Sequence, residues 1–159
     1  MLHLIPAPLH RGLYRLADWA RRRWWRVRKP IRRSAFVIAF DGVGRVLLVR
    51  HSYGAAVWTV PGGGLRRGED PTAAAARELR EELGCGLADL IELDRHEADD
   101  SGSRDVRYLF TARLVGEPVA DRREIVAVEW FEPNALPAEA SRYASEFVAR
   151  ALAARSQQR

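Results

Sequence analysis

Residues 63–85 read GGLRRGEDPTAAAARELREELGC. Residues 71–83 of this stretch are rich in Ala, Leu, Glu and Arg, which lose little freedom on entering a helix. Pro71 suits the first helical turn and Gly84 the position just past the last one, so the spacing predicts a helix over 71–83. On that helix Glu78, Glu81 and Glu82 stand at i, i+3 and i+4 and share one face. Three carboxylates so close repel one another, and a purely structural helix gains nothing from them. A hard divalent cation resolves the repulsion, because Mg2+ and Mn2+ favour carboxylate oxygen. Alone, the cluster also reads as a solvated acidic face. Gly62, Gly63, Gly64 and Gly68 lead into the helix and are expected to form a loop that admits a ligand close to the backbone.

Short strands are expected on either side. Residues 34–41 (SAFVIAFD) and 45–51 (RVLLVRH) are apolar, β-branched runs, and Asp41-Gly42-Val43-Gly44 between them reads as a hairpin turn. Residues 57–60 (VWTV) form a third candidate strand, ending at Pro61. Downstream, residues 89–96, 106–115 and 125–131 read as strands. Residues 139–153 read as a closing amphipathic helix with Ala140, Tyr143, Ala144, Phe147, Val148 and Leu152 on its buried side. Several short strands, one central helix and one closing helix suggest an α/β or α+β sandwich. Residues 34–155 are expected to form one domain, which the 159-residue length allows.

Charge separates this domain from what precedes it. Residues 1–33 hold ten Lys/Arg and one acid, Asp18, a net of +9, whereas residues 34–159 hold sixteen Lys/Arg and twenty Asp/Glu, a net of −4. The overall +5 therefore belongs to the N-terminal arm, and a uniformly basic nucleic-acid-binding surface is not what the composition describes. No apolar run reaches the ~18–20 residues of a membrane span. The single cysteine, Cys85, excludes an intramolecular disulfide and a cysteine-based zinc site. Within the arm, residues 9–28 place Leu9, Leu13, Leu16, Ala17, Ala20, Trp24 and Val27 in one helical stripe, with Trp19 and Trp25 nearby and arginines between. Such an amphipathic helix fits a membrane surface, packing on its own domain or on a partner chain, or, less well, nucleic acid. Its Arg-rich, acid-poor composition is also that of a transit peptide. The expected location is cytoplasmic, with peripheral membrane contact as the alternative.

Taken in register, Gly63, Glu69, Arg77, Glu78, Leu79, Glu81, Glu82 and Gly84 resemble the Nudix box. The one departure is Cys85, where the family prefers Ile, Leu or Val. Trp58 and Pro61 upstream, and Glu124, Trp130-Phe131 and Leu136-Pro137 downstream, also look like family landmarks, so the resemblance covers roughly residues 34–150. It implies an α/β/α sandwich around a mixed sheet. It also implies Mg2+- or Mn2+-dependent hydrolysis of a nucleoside diphosphate linked to another moiety. Carried over, Glu78 and Glu82 would ligate metal, Glu81 would do so directly or through water, and the Gly63 carbonyl would be a further ligand. Arg77 and Glu69 would orient the loop and helix. The base that activates water would be Glu78 or Glu124.

Arg50, His51 and Tyr53, at and just beyond the end of the second strand, are candidate substrate contacts through phosphate or base. For Arg50 and His51 an ordinary surface pair is the alternative reading. The expected partner is a small nucleotide. The alternatives are an RNA 5′-end pyrophosphohydrolase whose basic arm holds RNA, and a non-catalytic nucleotide-sensing module, which the retained carboxylates disfavour.

Overall fold

The run SAFVIAF does not alternate between apolar and polar residues, and it becomes a strand covered on both faces, as such runs do. The computed structural model describes residues 13, 16–20, 23–24, 31–100 and 103–157. Strand β1 (Arg32–Ala39) lies between β4 (Gly62–Gly64) and β6 (Ser103–Val115), with β5 (Gly86–Asp100) at the far edge. β1 runs parallel to β6 and antiparallel to β4, so this sheet is mixed. A second sheet has the order β3 (Trp58–Thr59), β2 (Val46–His51), β7 (Ile125–Phe131), all antiparallel. Helices α1 (Pro71–Leu83) and α2 (Arg142–Gln157) pack on the two sides of these sheets.

The core divides by side-chain parity, because successive residues of a strand point to opposite faces. Ala35, Val37 and Ala39 of β1, with Leu47 and Val49 of β2, pack with Leu79 and Leu83 of α1 around Phe110. Ile38, Val46, Leu48 and Leu109 point the other way and pack with Phe147 and Val148 of α2. Helix, sheets and helix thus form the expected α/β/α sandwich.

Several expectations about elements need correction, and the strands expected at 89–96 and 106–115 run Gly86–Asp100 and Ser103–Val115. The glycines at 62–64 form a strand, paired Ser34 to Gly64, Ala35 to Gly63 and Phe36 to Gly62. Low strand propensity hides such a segment, but the absence of side chains lets it lie tightly on β1. β1 begins at Arg32 rather than Ser34, where Arg32 lies 3.7 Å from the Asp105 carboxylate. The closing helix begins at Arg142 rather than residue 139. The carbonyl of Glu139 instead accepts from the Trp58 amide, and the Ser141 amide donates to the Trp58 carbonyl, which ties this segment to β3. The Ser141 hydroxyl then accepts from the Ala144 amide as an N-cap. Of the expected N-terminal helix, Leu13, residues 16–20, Arg23 and Trp24 are helical, and the rest of 9–28 lies outside the described residues. Among the described residues no helix is long and apolar enough to cross a membrane.

Candidate active site

Helix α1 is fixed at both ends. The Asp70 carboxylate caps the amides of Thr72 and Ala73, Pro71 opens the first turn, and Gly84 closes the helix with φ +68 in the left-handed region. These caps set the rotation that aims the glutamates. Glu82 points inward and is 3% exposed, and it accepts a 3.2 Å hydrogen bond from the Gly62 amide. Glu78 packs against Gly63 so closely that a methyl group on that glycine would lie 2.6 Å from its carboxyl carbon. Glu81 is half exposed and binds Arg66 and Arg77, each at 3.1 Å.

Arg77 is the clasp of the site. Its guanidinium meets both oxygens of Glu69 at 2.8 Å, Glu78 at 2.7 Å and the Gly64 carbonyl at 3.1 Å. A planar five-donor group can make these contacts together, and a lysine cannot. The Arg66 amide adds a 2.7 Å bond to Glu69. Arg77 and Arg66 hold the Glu69 carboxyl down, at a pKa of about 2. Burial pushes Glu78 up against the opposing pull of Arg77. Burial also drives Glu82 well above the usual range, with the Glu78 and Glu124 charges adding to the effect. Such groups are costly to bury as anions unless a cation compensates them.

The antiparallel pairing of β2 with β7 sets His51 opposite Ile125 and so brings the end of β2 to the start of β7. Glu124 stands there in a loop shaped by Asp121, whose carboxylate accepts the amides of Arg123, Glu124 and Ile125. Arg122 in that loop has φ +60. The Tyr53 hydroxyl donates to Glu124 at 2.5 Å, and the Ser52 amide donates to the Glu124 carbonyl at 2.8 Å. One potential ligand atom each from His51, Glu82 and Glu124 lies within 4.8 Å of the others. Burial holds the His51 imidazole below its ordinary pKa, and its buried Nδ1 has no hydrogen-bond partner among the described residues. Buried Glu82, with the carboxylates of Glu78 and Glu124 around it, fits a divalent cation.

These groups line a cleft of about 1090 Å³, together with Gly63, Glu78, Glu81 and Arg66. Of the expected substrate contacts, His51 and Tyr53 line it. Arg50 lies outside its lining, with its guanidinium 4.9 Å from the centre of the Trp58 ring. Trp58 is buried, 5.0 Å from Phe131 ring to ring. Sequence reasoning missed Arg66, Ser52 and Asp121. Only Asp121 had a local signal, an acidic residue placed to accept the amides two to four positions ahead. Cys85 is buried in the core.

A family model described as the NUDIX domain matches residues 30–151. The chain belongs to the Nudix family. Among curated Nudix relatives, an ADP-ribose pyrophosphatase of Mycobacterium tuberculosis is 38% identical over 105 residues, 60% of this chain and 50% of that one. An RNA pyrophosphohydrolase of Roseobacter denitrificans is 45% identical over 90 residues, 55% of this chain and 54% of that one. The chain thus spans about half the length of these two relatives. Among solved Nudix structures, a MutT NUDIX hydrolase from Burkholderia pseudomallei aligns with a TM-score of 0.70 at 25% identity, covering 76% of this chain and 97% of that one.

Proposed function

We propose that the protein hydrolyses a diphosphate linkage in a nucleoside diphosphate derivative, with Mg2+ or Mn2+ held by Glu78, Glu82 and the Gly63 carbonyl, and with Glu81, His51 and Glu124 close by. The observation that carries this reading is Glu82, a carboxylate 3% exposed and surrounded by further carboxylates. A divalent cation bound there would offset the charge of the diphosphate oxygens and make a water more acidic. The chain's own groups do the rest. Glu124, whose carboxylate accepts the Tyr53 hydroxyl, would take the proton of the attacking water, a choice over Glu78 that the Arg77 contact to Glu78 supports. The water oxygen bonds to phosphorus, the P–O anhydride bond breaks, and the leaving phosphate departs with the bonding pair. Arg77 and Glu69 keep β4 and α1 in register throughout. Tyr53 and His51 form the wall available to the remainder of the substrate.

The expected result for Glu82→Gln is loss of divalent-dependent phosphate release, by roughly 100-fold or more, with the fold retained by circular dichroism. A variant as fast as wild type would refute the assignment. A second reading, RNA 5′-end hydrolysis, is supported by the +9 arm, whose Asp18 and Trp24 border the cleft. It requires a steep fall of activity with salt on a 5′-triphosphorylated RNA and little such fall on a small nucleotide.

A further inference from the structure

The amphipathic stripe before residue 30 is not used by the catalytic reading. In a water-soluble domain such a stripe turns toward the core. Here the described members face outward: Leu13 is 49% exposed, Leu16 62% and Trp24 54%, with Ala17 and Ala20 also exposed. Trp19, beside the stripe, is 64% exposed. The covered residue is the charged one: Asp18, 6% exposed, stands at the edge of the cleft. It lies on the far side of the helix from Leu13, Leu16 and Ala20. The helix therefore borders the cleft at Asp18 and Trp24 and presents Leu13, Leu16, Trp19 and Ala20 to the surroundings.

Charge selects what covers that side. The first 33 residues carry a net +9. A second copy laid stripe against stripe would bring the same charge against itself. A nucleic acid would satisfy arginines but leave two leucines and two tryptophans in water. An anionic bilayer surface answers both features, since apolar side chains enter the boundary below the headgroups while the arm's net positive charge is drawn to the lipid phosphates. Tryptophan is also favoured at that interface. We propose that residues 13–24 dock this protein on an anionic membrane surface, with Leu13, Leu16 and Trp19 turned toward the bilayer.

The test is co-sedimentation of the full chain with vesicles of phosphatidylcholine alone and of phosphatidylcholine mixed with phosphatidylglycerol. The expected result is binding to the mixed vesicles, weak binding to the neutral ones, and loss of binding as salt rises. The triple substitution Leu13→Ser, Leu16→Ser, Trp19→Ser should weaken binding by roughly 100-fold or more and leave the melting temperature unchanged. Arg21→Gln, Arg22→Gln, Arg23→Gln should weaken it by roughly 100-fold at low salt. If the first variant also melts early, the arginine variant and the salt series decide. Wild type that stays in solution with mixed vesicles, or a serine variant that binds as wild type does, overturns the proposal. So does a wild-type dimer that the serine variant converts to monomer, which would assign the stripe to a second copy. RNA binding without vesicle binding would assign the arm to nucleic acid instead.

Discussion

Adjacent glycines in the Pro61-Gly62-Gly63-Gly64 segment answer to different constraints. A methyl group on Gly62 would meet the Ala35 carbonyl oxygen at 2.2 Å and the Phe36 Cα at 2.8 Å, at a backbone φ of +139. Both obstacles are main chain and cannot give way. The atoms nearest a methyl group on Gly63 would be those of the Glu78 carboxyl group, at 2.6–2.8 Å, the end of a side chain rather than main chain. Gly62→Ala is therefore expected to lower stability by more than about 3 kcal/mol, read by chemical denaturation. Gly63→Ala should fold with nearly wild-type stability yet lose roughly 100-fold in kcat, because Glu78 must move by about 1 Å. If the two variants exchanged these effects, the packing of β4 on β1 and α1 would be wrong. Nothing in the letters PGGG separates the two positions, since the distinction depends on β1 and on Glu78, fifteen residues downstream of Gly63.

At the scale of elements, α1 was legible to the residue because its signals are local: a run of Ala, Leu, Glu and Arg, a proline in the first turn and a closing glycine. Its attachment to β4 was legible only as a resemblance, because Glu69 and Arg77 lie eight residues apart and meet through a loop. That attachment can be followed by pH. The Glu69 carboxyl is lowered from 4.5 to about 2 when folded, so the unfolded chain takes up a proton that the folded chain refuses. The stabilisation is thus present above pH 4.5 and lost as pH falls toward about 2. Glu69→Gln should melt below wild type at neutral pH, and the gap should close across that window. It should also shrink in high salt, since the pair is near solvent. A gap constant from neutral pH down to about 2 would mean that the pair contributes through packing alone. β4 and the residues before α2 were not legible. Their conformations come from pairing with β1 and from hydrogen bonds to Trp58, not from intrinsic preference.

At the scale of the whole molecule, topology assembles the site. His51 ends β2 and Tyr53 follows it, Glu82 comes from α1, and Glu124 stands just before β7, separated from Tyr53 by 71 residues. The sequence marks each as a candidate, but only the β2–β7 pairing puts Glu124 beside His51. The assembly has an energetic consequence. Glu82 is 3% exposed, with carboxylates as its charged neighbours and one 3.2 Å amide bond to stabilise it. A buried anion so placed opposes folding, and a cation that binds only the folded chain offsets that opposition. At a free concentration 100 times its Kd, such a cation adds about 2.7 kcal/mol. For a chain of this size that is a rise in melting temperature of roughly 5–10 °C. Chelation should reverse the rise. Glu82→Gln should abolish it while leaving the metal-free melting temperature equal to wild type or higher, because the variant buries an amide in place of a charge. Equal metal-induced shifts in both proteins would place the cation elsewhere. A variant that melts lower without metal would mean that Glu82 is a structural group already compensated within the fold.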